Sequence, residues 1–146
     1  MSSLRSDITI ELLNQQGREY LPGYLGIVIL SLEPNTLTSR MPIHKLHVAP
    51  NDFLHAASVV ALADTSCGYA TIAHLPDGAR SFTTIELKSN HLGTVREGSV
   101  ACRATAQHLG RNTQVWDAVV TDEANGRKLA LFRCTQMILW PKAERQ

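Results

Sequence analysis

Residues 54–74 read LHAASVVALADTSCGYATIAH, and the fold turns on this stretch. It is too long for a strand, is rich in Ala and Leu, and stops before Pro76-Asp77-Gly78, so it predicts one long helix over about 54–74. Leu54, Ala56, Ala57, Val59, Val60, Ala61, Leu62 and Ala63 cover every face of its first half, interrupted only by His55 and Ser58. A helix apolar all round is expected to be buried all round. Into it comes Asp64, a poor helix former that is costly to bury unpaired. Either it caps something or pairs with Arg103 or Arg133 in the core, or it serves chemistry.

Upstream, Ile8, Leu12, Leu13 and Tyr20 recur at helical spacing, which predicts a short leading helix over about 6–21 with Ser6 or Asp7 as its cap. Two apolar runs between Gly26 and Ile43 flank Glu33-Pro34-Asn35 and read as a hairpin. Downstream the period becomes two, through Thr83, Ile85 and Leu87, then Val100 to Ala106, Val115 to Val119, and Leu129 to Thr135. These predict four strands with turns at Glu97-Gly98, Gly110-Arg111-Asn112 and Asn125-Gly126, the last a strong hairpin signal. The class is α+β, a mainly antiparallel sheet of about six strands with one dominant helix on it. At 146 residues the chain, 1–146, is expected to form a single domain.

Composition removes several function classes. Hydrophobic residues at 44% and charged residues at 18% exclude the disorder and coiled-coil classes. The net charge of +1, with no basic run longer than Arg127-Lys128, gives no support to nucleic-acid binding. Cys67, Cys102 and Cys134 are odd in number and scattered, which suggests reduced thiols and a cytoplasmic location rather than disulfides or zinc. Asp7 and Glu11 stand where a secretory signal would be apolar, and the run from Tyr24 to Leu32 is too short to span a bilayer, so no export or membrane anchoring is expected. His44, His47, His74 and His108 form no ligand pattern with the cysteines, so no metal is expected. The G-x-S-x-G elbow of the α/β-hydrolases is missing.

His55 opens the long helix, where free N–H groups and the positive dipole end favour a developing negative charge. His55 and Asp64 are nine residues apart, roughly 13 Å along the axis and half a turn out of phase. They cannot touch within one chain. If they cooperate, each meets its counterpart from a second copy, as where two such helices pack antiparallel about a twofold axis.

FLHAASVVALADTSCGYAT, with FTTIELKSNHLGTVREG and HLGRNTQVWDAVVTDEANGRKLALFRCTQ downstream, resembles the PaaI-type acyl-coenzyme A thioesterases of the hotdog superfamily, which includes the 4-hydroxybenzoyl-coenzyme A thioesterases. The first segment is similar to that family's His-Gly-Gly followed by Leu-Ala-Asp/Glu, and the resemblance covers about residues 24–140. It implies a hotdog fold, with the sheet wrapped around the helix, sheets joined in a homodimer or homotetramer, and a site at the dimer interface. It further implies that the Ala56 N–H, after the motif residue His55, polarises the thioester carbonyl. Asp64 of the other subunit would be nucleophile or base for water, and Thr65 would orient that water or carboxylate. No cofactor is implied, because coenzyme A belongs to the substrate.

Two departures stand out. Both motif glycines are alanines, Ala56 and Ala57, which keeps the backbone donor but adds a methyl in the cleft. The Asn or Gln that many members carry six residues before the histidine falls on Ala49, and Asn51 is the candidate replacement, unless it only forms the turn. For coenzyme A the candidates are Asn90 and His91 at the end of the first late strand and Arg111, Asn112 and Thr113 in the following hairpin; solvated turn residues look the same. Two other functions compete: a hotdog hydratase or dehydratase on acyl thioesters, and a non-catalytic acyl-coenzyme A binding module. Asp64 without an in-chain histidine suits hydrolysis better than proton transfer, and a module would release no thiol.

Overall fold

The order of strands along the sheet is β1-β2-β4-β5-β6-β3, all neighbours antiparallel, in a computed structural model that describes residues 3–143. The strands are β1 (Val28–Glu33), β2 (Thr36–Pro42), β3 (Ser81–His91), β4 (Ser99–Leu109), β5 (Thr113–Asp122) and β6 (Lys128–Leu139). The hairpins β1-β2, β4-β5 and β5-β6 fall at the expected turns, with left-handed backbone at Asn35 and Gly126, whereas the left-handed Gly98 ends the connection from β3 to β4, which do not pair. The central helix, α3 (Ala56–Ala73), lies on the inner face of this sheet. This is the α+β architecture expected, six strands and one long helix.

α3 is long and apolar enough to cross a bilayer by length and composition, yet it packs against β2 to β6 as the core helix. Leu62, Ala63, Cys67 and Ala70 meet Trp116, Ala118, Val120, Phe132 and Cys134 in one buried cluster. Gly68 brings helix and sheet together, because a Cβ there would stand 3.2 Å from the Phe82 ring.

Three expectations are corrected. The leading helix over 6–21 is two pieces, α1 (Ile10–Gly17) and α2 (Leu21–Tyr24). Thr9 caps α1 by accepting the Leu12 N–H at 3.1 Å, while Asp7 is taken by Arg5. Tyr20, with extended backbone, is the N-cap of α2, and Pro22 stands in the first turn of that new helix, where its missing N–H leaves no helical bond unmade. The helix over 54–74 starts two residues later, since Leu54 bridges to Val48 and His55 is the cap. Finally, α3 is not buried all round. Ala56 and Ala57 are exposed, and Val60, Ala61, Asp64 and Thr65 are half-buried, because a single sheet covers one side of a helix.

The two sheet edges are β1 and β3. β3 pairs only with β6, and a bulge between Thr84 and Glu86 interrupts its alternation. Ile85 and Leu87 stay 53% and 44% exposed along this open edge.

Candidate active site

The start of α3 is held by a buried histidine that sequence reasoning did not single out. The His47 ring accepts the His44 N–H at Nδ1 (2.9 Å), which leaves its proton on Nε2 to donate to the Leu25 carbonyl at 2.7 Å. The His47 carbonyl accepts the His55 N–H at 2.9 Å and the Ser58 hydroxyl at 2.7 Å. Leu54 donates to the Val95 carbonyl at 3.0 Å. No periodicity marks such a residue, because its contacts depend on how three loops meet.

His55 caps α3, its Nδ1 accepting the Ala57 N–H at 2.9 Å. With that lone pair used, the neutral ring carries its proton on exposed Nε2 and can only donate there. Ser58 and Val59 donate to the His55 carbonyl. The Ala56 N–H, at the first helical position, has no acceptor in the helix. Helix start and imidazole therefore present two donors to solvent.

Two turns on, Asp64 is half-buried, and its Oδ1 has no hydrogen-bond partner. Burial holds its carboxyl above the ordinary carboxylate value, which makes it a stronger base. The alternative of a core ion pair fails. Arg133 binds Asp117 across β5 and β6 (Nη2 to Oδ2, 2.8 Å), on the outer face of the sheet, and Arg103 is exposed. The Thr65 hydroxyl has no hydrogen-bond partner among the described residues, whereas those of Ser66 and Thr71 bond back to the helix. Asn51 is exposed and its Oδ1 accepts the Phe53 N–H at 3.2 Å, forming the turn while its amide nitrogen stays available.

The coenzyme A candidates fall into two places. Asn90 and His91 pair with Leu131 and Ala130, whereas Thr113 pairs with Met137. Six residues of β6 between Leu131 and Met137 amount to about 20 Å, so the two groups share no single-chain site. Asn90 and His91 lie toward the helix start. Arg111 lies toward its end, over the Trp140 ring at 4.3 Å, beside a cavity of about 670 Å³ that Arg5, Asp7 and Asp77 also line. Asn112 and Thr113 use their carbonyls to bind Ile138 and Gly110. Neither this cavity nor the 300 Å³ groove at Asn90 includes His55 or Asp64. Among the described residues, no three His, Cys, Asp or Glu side chains cluster as metal ligands.

Comparison with known proteins identifies the family and agrees with the fold. The description "Thioesterase superfamily" matches residues 51–128. The chain is 33% identical to the 1,4-dihydroxy-2-naphthoyl-CoA hydrolase of Escherichia coli, over 90% of this chain and 96% of that protein. It is 30% identical to the proofreading thioesterase EntH of Klebsiella pneumoniae, over 92% and 97%. A thioesterase structure from Haemophilus influenzae superposes with a TM-score of 0.89 at 29% identity, covering 98% and 99% of the two chains. The six-stranded sheet with one long helix thus has counterparts in both sequence and fold, and the chain belongs to the thioesterase superfamily of hotdog-fold thioester hydrolases.

Proposed function

We propose that the chain hydrolyses acyl-coenzyme A thioesters to free acid and coenzyme A in a site shared by two copies. The observation that carries this is Asp64, a carboxylate with an unbonded buried oxygen and no cation beside it, on an otherwise apolar helix. The Ala56 N–H of one copy holds the thioester oxygen. Asp64 of the other either attacks the carbonyl carbon, forming an acyl anhydride that water then cleaves to free acid and carboxylate, or takes a proton from the water that attacks it. The C–S bond breaks, and the thiolate leaves and is protonated. Thr65 orients the water or carboxylate, the His55 Nε2–H stands beside the carbonyl site, and the Asn51 amide serves in place of the side chain missing at Ala49.

Two copies are required because His55 and Asp64 lie roughly 13 Å apart along one helix. The open β3 edge, with Ile85 and Leu87 exposed, offers the surface for pairing into a homodimer, from which a homotetramer can form. Asn90 and His91 would contact coenzyme A near the helix start, with Arg111, Asn112 and Thr113 supplied by another copy. The Escherichia coli relative is named for a CoA hydrolase, which supports that substrate class. The reaction needs only water and side chains, hence no cofactor. Three unpaired buried cysteines suit the cytoplasm.

Release of thiol from a panel of acyl-coenzyme A esters, read with a thiol-reactive dye, tests the reaction; no release from any ester overturns it. Sedimentation at micromolar concentration tests the shared site, which a lone 16.1 kDa species would rule out.

A further inference from the structure

The exposed large hydrophobics of the chain form two sets. One, including Ile85, Leu87, Leu131 and Met137, lies on β3 and its neighbour β6. The other does not belong to that edge: Tyr20, Leu21 and Tyr24 are 71%, 62% and 75% exposed, with Leu46 and Phe53 also open. Residues 20–32 contain no charged side chain. His47 ties the end of α2 to the mouth of α3, since its ring holds the Leu25 carbonyl beside Tyr24 and its own carbonyl, next to Leu46, holds His55.

The other side of the mouth is cationic. Val95 holds Leu54, Arg96 lies over the Phe53 ring at 4.3 Å, and Arg127 donates to the Thr94 carbonyl at 2.8 Å. Neither arginine takes part in an ion pair among the described residues. A mouth apolar on one side and cationic on the other complements a thioester whose acyl end is apolar and whose coenzyme A end is anionic.

We propose that α2, through Tyr20, Leu21 and Tyr24 together with Leu46, forms the wall that receives the acyl group, and that the preferred substrates carry a bulky apolar acyl group. This rests on the thioesterase reading, with the carbonyl at the Ala56 N–H. The wall determines specificity and does not touch the reacting atoms.

The test is a Leu21→Ala, Tyr24→Ala double variant, which folding should tolerate because both side chains are exposed. The ratio of kcat/KM for benzoyl-coenzyme A to that for acetyl-coenzyme A should fall about 10-fold, as expected when an apolar contact of ring size is lost. An unchanged ratio overturns the proposal. So does dissociation of the assembly in sedimentation, which would make the patch a subunit contact. Calorimetric binding of phenacyl-coenzyme A and acetonyl-coenzyme A, thioethers that cannot be hydrolysed, separates this from the failure of the hydrolase reading. If the wild type cleaves no ester, weaker binding of the phenacyl compound alone still supports the wall, and equal binding by both proteins removes it.

Discussion

The middle of α3, at Asp64 and Thr65, treats its polar groups unlike the end of the helix. Toward its end Ser66, Thr71 and His74 are buried and bonded. Ser66 donates to the Leu62 carbonyl and meets the Ser39 hydroxyl, both at 2.7 Å, and Thr71 donates to the Cys67 carbonyl at 2.8 Å. His74 donates from Nδ1 to the Ala70 carbonyl at 2.7 Å and accepts the Asn35 N–H at Nε2 (3.0 Å). At the middle, Asp64 Oδ1 is buried with no partner among the described residues, and the half-buried Thr65 hydroxyl has no bond among them either. Stability alone would favour the pattern of the helix end throughout, because an unsatisfied buried group costs about 1–3 kcal/mol and more if charged. The middle thus gives up stability where the proposed chemistry needs it.

Asp64→Asn gives the largest expected effect and the sharpest test of that contrast. Turnover should fall about 10² to 10⁴-fold, the usual contribution of a positioned acid or base, while the melting temperature holds or rises. Because burial raises the Asp64 pKa, the folded chain holds this proton more tightly than the unfolded chain. The destabilisation is therefore absent below the ordinary carboxylate range and appears as pH rises through the folded value. The variant's gain in melting temperature should be visible near neutral pH and vanish in acid. A steep loss of melting temperature with near-normal turnover would make Asp64 structural.

His74→Phe probes the end of the helix. It should lower stability by about 1–3 kcal/mol and leave turnover per folded molecule intact. Burial lowers the His74 pKa, so the folded chain keeps the ring neutral while the unfolded chain takes up a proton first. Stability present above about pH 6.5 is then lost as pH falls through the folded value. Melting curves across that window should show a shallower slope in the variant; identical slopes would remove His74 as the source.

Thr65→Val keeps the shape and removes the hydroxyl. Turnover should drop about 10-fold, with little change in melting, if the hydroxyl orients water or carboxylate; unchanged turnover would mark it as idle. The smallest effect is expected of Ala56→Gly, where the donor is backbone. Turnover should stay level or rise a few-fold with a broader acyl range, at a stability loss of no more than about 1 kcal/mol. Complete inactivity with the fold intact would show that the Ala56 methyl is needed.

The helix of residues 54–74 and the four late strands could be read because length, period and Asn125-Gly126 are local signals. Asp64 was conspicuous for the same reason, a charge in an apolar run. Its lack of a partner was not legible, since Arg133 could be assigned only once the β5–β6 register put it opposite Asp117. The same register parts Asn90 from Thr113, residues that a linear reading could place together. The split at Pro22 was readable in principle from the proline, whereas the bulge at Thr84 and the bonding of His47 are set by tertiary packing alone.

β3 has one further consequence, for how the chain is made. Its one strand partner among the described residues is β6 (Lys128–Leu139), so Ser81–His91 leaves the ribosome well before that strand can pair with it. At about 5–20 residues per second, the delay is roughly 2 to 10 seconds. During that time Ile85 and Leu87 have neither sheet nor second copy to cover them. Glu86 and Lys88 lie next to them in sequence, charged gatekeepers that discourage a waiting strand from joining its neighbours on other ribosomes.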